Sequence, residues 1–165
     1  MEASKAKTRL GIFLHTIVNA GLGPPGASQF RLTFGPFAPG LGGTAIGADP
    51  ADGNRLTGSN TDARAGDIDT AIADFARFCA VVTAHECAHS MGLVQNGAMP
   101  AGLYGDDATN FPGSSDGHIR NLTLFPAGAT NVMSPSLSYT TAIHPATAFN
   151  RLNLAYLREQ VTYGN

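Results

Sequence analysis

The clearest hydrophobic pattern in the chain lies in its middle, between residues 67 and 92. Apolar residues recur there at the three- and four-residue spacing of a helix, and Asp67 and Asp69 stand where acidic groups favour a helix N-terminus. The ten residues 75–84 are nearly all apolar, so we expect this helix to be covered on both sides. The pattern therefore predicts a helix over residues 67–92 around which the fold is built.

Before this helix, the pattern favours strands. Residues 9–18 alternate and are β-rich, residues 29–37 form a second candidate strand, and residues 41–48 form a short third strand weakened by glycine. The polar stretch 49–66 is rich in Asp, Asn and Gly and predicts a solvated loop. Residues 1–8 carry both lysines of the chain and are expected to be a disordered tail.

After the helix, the pattern is irregular almost to the end of the chain. Residues 95–130 show little periodicity, whereas residues 147–161 form an amphipathic pattern typical of a C-terminal helix. We therefore expect an α+β fold in which a small twisted sheet packs on the long helix. Residues 9–165 would form one domain, with an upper subdomain over 9–93 and an irregular lower subdomain over 94–165 that ends in a helix.

Composition narrows the range of functions. The chain has 165 residues, 43% of them apolar, which is enough for one domain with a core. Its net charge of −2 and 13% charged residues give no indication of binding to nucleic acid or to a membrane surface. Neither a bilayer-spanning run nor a signal peptide is visible. Cys79 and Cys87 would lie about 12 Å apart along the predicted helix, too far for a disulfide.

The predicted helix carries His85-Glu86-Cys87-Ala88-His89, a His-Glu-x-x-His motif. Residues four apart share a helix face, so both imidazoles can reach one zinc ion, which binds nitrogen at about 2.0–2.1 Å. Glu86 lies about 100° further round the helix than His85, beside the metal, where its carboxylate can take a proton from water. The alternative is one buried and one surface histidine, which is unfavourable on an apolar helix without partners.

Two further segments extend the motif. Gly92 lies three residues beyond it, and Asn131-Val132-Met133-Ser134-Pro135 follows later. This combination, HExxHxxG followed by a methionine turn, resembles the metzincin clan of zinc endopeptidases, in particular bacterial members with an enlarged loop after the helix. The resemblance covers residues 67–139. It implies a zincin-like fold, a protein or peptide substrate, a secreted or extracytoplasmic location, and a buried Met133 below the zinc; we also expect a monomer.

The motif leaves the third metal ligand open. Metzincins usually place it three residues after the glycine, and that position is Gln95, a poor zinc ligand. His118 is the preferred candidate, because imidazole is the typical partner in a zinc site that already contains histidine. The alternatives downstream are Asp106, Asp107, Asp116, His144 and Glu159.

Three further segments of the sequence have candidate roles. In some metzincins a tyrosine soon after the methionine turn reaches the metal or the reacting oxyanion, and Tyr139 is the candidate, although its spacing is longer. Calcium prefers oxygen ligands, so the stretch 49–66 is a candidate calcium site as well as a solvated loop; its oxygen donors are Asp49, Asp52, Asn54 and Asp62. The resemblance also implies an edge strand above the cleft that pairs with an extended substrate. Residues 41–48 are the candidate for it, and the alternative is an ordinary loop.

The sequence therefore predicts a zinc-dependent endopeptidase. Zinc would be bound by His85, His89 and His118, and Glu86 would act as the general base. The alternative is a non-catalytic or degenerate zinc-binding module of the same fold, which would bind the metal without cleaving a protein substrate.

Overall fold

The computed structural model describes residues 29–91, 118, 131–134, 137–151, 153–155 and 157–158. The described residues are mostly helical and contain no strand, so the prediction of an α+β fold with a twisted sheet is wrong. Their β structure is confined to an isolated parallel bridge between Asn131 and Ala148. The chain divides into two compact units, Met1–Ala65 and Gly66–Asn165. The predicted tail and first strand, residues 1–18, lie outside the described residues.

The segment predicted as the second strand is helical. Helix α1 spans Gln29–Phe34, and a 3-10 turn spans Gly35–Phe37. The phenylalanines at positions 30, 34 and 37 recur every three or four residues, which is the period of a helix rather than of a strand. The rings of Phe30 and Phe34, one helical turn apart, have centroids 4.5 Å apart, and Phe30 is buried. The aromatic content of this segment is typical of a strand, but the spacing of its phenylalanines is that of the helix observed.

The predicted third strand is also wrong. A second 3-10 turn spans Pro39–Leu41, and residues 42–48 are turns or irregular backbone. Gly42 and Gly47 have φ angles of 84° and 89°, a left-handed conformation that glycine adopts without strain and a strand does not contain. Without a strand in this range, the segment has no edge with which to pair an extended substrate.

The polar stretch 49–66 is folded rather than a solvated loop. It contains helix α2, Asp52–Leu56, and two arginines that converge on the fully buried carboxylate of Asp52. Arg64 donates from Nε to Oδ1 of Asp52 at 2.8 Å, and Arg55 donates from Nη1 to the same oxygen at 2.9 Å. These charge-assisted hydrogen bonds offset the cost of burying the carboxylate.

The same arginines bind the aspartates that were candidate calcium ligands. Arg55 pairs with Asp49 at 3.0 Å and with Asp62 at 2.7 Å, measured from nitrogen to oxygen. The hydrogen bond from Arg64 holds the pKa of Asp52 well below its usual range, and the hydrogen bond from Arg55 lowers the pKa of Asp62 to about 2. These carboxylates therefore have cationic partners already, and among the described residues they do not form a metal-binding group.

Helix α3 spans Ala63–Ser90 and has 28 residues, a length of about 42 Å. It begins four residues before the predicted start because Asp62 acts as its cap. The Asp62 carboxylate accepts a hydrogen bond from the backbone N–H of Ala65 at 3.0 Å. The predicted terminal Gly92 lies outside the described residues.

The buried residues of α3 span about 220° around its axis and leave one stripe exposed, so the expectation of a helix covered on both sides is only partly met. They are Ala65, Ile68, Ala71, Phe78, His85 and Ala88. The exposed apolar residues include Ile72, which is 49% exposed, and the alanines Ala73, Ala76 and Ala80. Alanine is the strongest helix former and buries little surface, so these positions support the helix without requiring a partner.

Helix α4 spans Tyr139–Ile143 and is held against the middle of α3. The hydroxyl of Tyr139 donates to Oδ2 of Asp74 at 2.8 Å, and Nη2 of Arg77 donates to the backbone oxygen of His144 at 2.9 Å. The Tyr139 ring also packs edge-on against Phe78 of α3, with ring centroids 5.6 Å apart, so both polar and apolar contacts fix this segment to the long helix.

Residues 151, 153–155 and 157–158 are helical, within the predicted C-terminal helix over 147–161. Asn153 is buried there, whereas Leu154 is exposed, so a polar residue lies on the inner face of this helix. Among the helices that the structure describes, none is both long enough and apolar enough to cross a membrane.

Candidate metal centre

Three imidazole rings meet near the C-terminal end of α3. His85 and His89 lie one turn apart on the helix, and His118 comes from a segment 33 residues beyond His85. Nε2 of His85 lies 3.1 Å from Nε2 of His89 and 3.3 Å from Nε2 of His118. One ring nitrogen from each residue lies within 4.8 Å of the other two. The three side chains are close enough together to bind one metal ion.

The rings approach one another through their nitrogen atoms rather than by stacking. The planes of His85 and His89 are inclined at 78°, those of His89 and His118 at 89°, and those of His85 and His118 at 38°. A neutral imidazole with its proton on Nδ1 presents an acceptor lone pair at Nε2. One bridging proton can satisfy a single pair of such nitrogens, whereas one shared cation can satisfy all three. The arrangement therefore fits a metal site better than a hydrogen-bonded cluster.

His85 is held in place by a backbone carbonyl. Its ring is buried, with 8% of the residue exposed, and Nδ1 lies 2.7 Å from the carbonyl oxygen of Val132. Because a carbonyl oxygen can only accept a hydrogen bond, Nδ1 must carry the proton. In the neutral ring this leaves the lone pair on Nε2, the atom that faces the other two histidines. The contact thus selects the tautomer that can bind a metal.

Val132 belongs to the predicted methionine turn. The N–H of Ser134 donates to the oxygen of Asn131 at 3.0 Å, which closes a tight turn, and Met133 is fully buried. The sequence singled out Met133 in this turn, and its placement below a zinc ion stays a prediction. The sequence did not indicate the backbone contact from Val132 to the histidine, because a carbonyl acceptor has no signature in the side-chain pattern.

Glu86 follows His85 on α3, and it is exposed. Successive helical residues differ by about 100°, which places Glu86 about 100° from His85 and about 60° from His89 around the axis. Its carboxylate therefore projects from the side of α3 that carries the histidines, into solvent. A carboxylate in this position can exchange protons with water without serving as a ligand.

Other predicted site residues lie elsewhere. The Tyr139 hydroxyl binds Asp74, which precedes His85 on α3 by eleven residues, or about 16 Å along the axis. His144 is exposed, and its Nδ1 accepts from the backbone N–H of Ala146 at 3.1 Å. The remaining candidates and the position that metzincins use lie outside the described residues: Gln95, Asp106, Asp107, Asp116 and Glu159.

Comparisons of this chain with protein-family models, with curated proteins and with solved structures find no match. No relative therefore indicates an activity, a substrate or a partner for it. The resemblance to metzincins rests on the two sequence motifs, and the case for a metal site rests on the geometry of the three histidines.

Proposed function

We propose that this chain is a zinc-dependent endopeptidase in which His85, His89 and His118 bind the metal. The close approach of one ring nitrogen from each of these histidines, all within 4.8 Å of one another, carries this proposal. Two nitrogens bound to one tetrahedral zinc at about 2.0–2.1 Å lie about 3.3–3.4 Å apart, and the distances of 3.1 and 3.3 Å agree with that separation. Three protein ligands leave the fourth position open, as in catalytic rather than structural zinc sites.

Glu86 is proposed as the general base. Zinc, when bound, supplies Lewis acidity to a substrate carbonyl and to water. Glu86 accepts the proton that water loses as the water oxygen adds to the carbonyl carbon. It then transfers this proton to the amide nitrogen as the C–N bond breaks. One water is consumed and a carboxylic acid and an amine are released, so no further reactant is required.

The peptide bond is proposed as the substrate on the strength of the two motifs together. HExxH alone occurs in zinc hydrolases of several kinds, but its combination with Gly92 and a methionine turn resembles endopeptidases. The hydrogen bond between Val132 in this turn and His85 supports reading the two motifs together, because it brings the methionine turn into contact with the HExxH motif. The exposure of Glu86 is compatible with a large substrate, since solvent and an extended chain can both approach it.

Metal content and cleavage test the proposal together. Purified protein is analysed for bound metals without prior assumption, because imidazole also suits copper, iron and nickel. It is then incubated with an unfolded general protein substrate, with and without a chelator. We expect one zinc per chain and cleavage that the chelator abolishes and added zinc restores. Absence of stoichiometric zinc binding would refute the proposal.

Two variants on one helix separate metal binding from catalysis. Glu86→Gln is expected to keep zinc and to lose about 10²–10⁴-fold in cleavage rate, the usual contribution of a general base. Asp69→Asn removes another exposed carboxylate of α3 and is expected to keep both properties. A wild-type protein that binds zinc but cleaves no protein substrate would instead indicate the non-catalytic zinc-binding module.

A further inference from the structure

We propose that Asn131 is a positioning residue of the metal centre, which orients and polarises the peptide group that holds His85. The inference rests on the proposed role of His85 as a metal ligand. It concerns a side chain that binds no metal and that the proposed reaction does not use.

Three groups form a hydrogen-bonded relay from Asn131 to the metal site. Oδ1 of Asn131 accepts from the backbone N–H of Met133 at 3.2 Å. That N–H belongs to the same peptide group as the carbonyl of Val132, and this carbonyl accepts from Nδ1 of His85 at 2.7 Å. Asn131 and His85 therefore bind the two ends of a single peptide group.

The relay is buried and anchored at both sides. Asn131 and Val132 are 5% and 4% exposed, and Met133 is fully buried, so little water can compete for these groups. The N–H of Val132 donates to the oxygen of Ala148 at 3.0 Å, and the oxygen of Asn131 accepts from the N–H of Ser134 at the same distance. The peptide group between Val132 and Met133 is thus fixed in orientation by its neighbours as well as by the relay.

Polarisation gives the relay a chemical effect. Hydrogen bonds in a chain strengthen one another, most of all where the surroundings are dry. An acceptor on the Met133 N–H makes the Val132 carbonyl a stronger acceptor, which holds the proton on Nδ1 of His85 and raises the electron density at Nε2. A ligating histidine often donates a hydrogen bond from its other ring nitrogen, and loss of that acceptor typically lowers metal affinity by about 10–100-fold. We expect Asn131 to act on metal affinity in this way.

The competing explanation is that Asn131 only stabilises the turn. Asparagine side chains commonly accept hydrogen bonds from backbone groups two or three residues further on, without any functional role. Asn150 provides a matched control, because its Oδ1 accepts from the backbone N–H of the buried Asn153 at 2.7 Å. Replacing Asn150 removes the same kind of bond without touching a histidine of the centre.

The test compares zinc affinity, measured by competition with a chromophoric chelator, in four proteins. We expect Asn131→Ala to bind zinc about 10-fold more weakly than wild type, the low end of the range for direct partners, because Asn131 acts through the intervening peptide group. Asn131→Asp keeps an acceptor oxygen and should bind at least as tightly as wild type. Asn150→Ala should lower the melting temperature while its zinc affinity stays unchanged.

A second measurement does not need the metal. In the metal-free protein, NMR of the His85 ring reports the strength of the hydrogen bond at Nδ1 through the chemical shift of its proton. We expect this resonance to move upfield in Asn131→Ala and to stay in place in Asn150→Ala. If Asn131→Ala does not fold, Asn131→Asp carries the test, and a zinc affinity below wild type in that variant overturns the inference.

The outcomes separate this inference from the proposed function. Equal zinc affinity in wild type and folded Asn131→Ala overturns the inference and leaves the proposed function standing. Equal losses of affinity in Asn131→Ala and Asn150→Ala also overturn it, because stability alone would then explain both. A wild-type protein that binds no zinc refutes the proposed function, and an unmoved His85 proton in Asn131→Ala then refutes the relay as well.

Discussion

Removal of His118 tests the three-ligand centre most directly. Its Nε2 lies 3.3 Å from Nε2 of His85, a separation that two ligands of one zinc ion keep. Helix geometry alone brings His85 and His89 together, whereas His118 must be placed by the tertiary fold. His118→Ala therefore leaves the HExxH pair intact and reduces the donors from three to two.

The size of the effect follows from the linkage between binding and stability. A ligand present at 100 times its Kd, and bound only by the folded chain, stabilises it by about 2.7 kcal/mol. For a chain of this length, that raises Tm by about 5–11 °C. Loss of an outer partner of a ligand already weakens binding by about 10–100-fold, so loss of a ligand should cost at least about 100-fold. The variant's Kd then reaches the zinc concentration, which leaves about 0.4 kcal/mol and a shift of about 1–2 °C.

The assay is thermal unfolding with and without zinc at 100 times the wild-type Kd. Wild type, His118→Ala and His144→Ala are compared, with His144 as the control because its exposed ring binds a backbone N–H of its own turn. A metal-free Tm for each protein separates changes in folding from changes in binding. If zinc raises the Tm of His118→Ala as much as that of wild type, the three-histidine centre is refuted. It is also refuted if zinc fails to raise the Tm of His144→Ala but still raises that of His118→Ala.

Three further predictions concern the surroundings of the centre. Met133 is fully buried, so Met133→Ala should lower the free energy of unfolding by about 2–5 kcal/mol in denaturant titrations, and Met133→Leu by less than about 1.5 kcal/mol. Tyr139→Phe removes the hydrogen bond to Asp74 and should cost about 0.5–1.5 kcal/mol with little change in kcat; a 100-fold fall in kcat would instead place the tyrosine at the reacting oxyanion. Because Asp52 and Asp62 have pKa values below the ordinary 3.8 in the folded chain, their stabilisation should be complete above about pH 5 and decline as pH falls, with that of Asp62 lost near pH 2 and that of Asp52 only below it. A Tm that stays constant over this pH range would contradict the prediction for the two aspartates.

The three histidines of the candidate metal centre could be predicted because each belongs to a short sequence pattern or to a small set of possible ligands. His85 and His89 are four residues apart, and a helix places such residues on one face whatever the rest of the fold does. His118 follows from ligand chemistry, since few imidazoles lie downstream of the helix. The structure brings all three together. The carbonyl of Val132 could not be predicted, because every residue carries the same backbone acceptor and only the tertiary fold selects one.

The strands could not be predicted correctly because residue preference and residue spacing disagree before α3. Phenylalanine favours strands, but the phenylalanines of α1 have the spacing of a helix. The contact between the rings of Phe30 and Phe34 stabilises that helix. The folded structure of the stretch 49–66 could not be predicted for another reason. Its order comes from ion pairs such as Arg64 with Asp52, twelve residues apart, and a hydrophobic pattern carries no information about such pairs.

His85 and Glu86 are adjacent on α3, but one side chain is buried and the other is exposed. His85 is buried and bound to a backbone carbonyl, while Glu86, about 100° further round, is exposed to solvent. Metal affinity should therefore depend on the buried relay that begins at Asn131, and proton transfer on the exposed carboxylate. An excess of zinc should then restore cleavage to Asn131→Ala, because that variant is deficient in binding alone. The same excess should leave Glu86→Gln inactive; restoration of both variants by zinc would show that Glu86 contributes to holding the metal rather than to moving a proton.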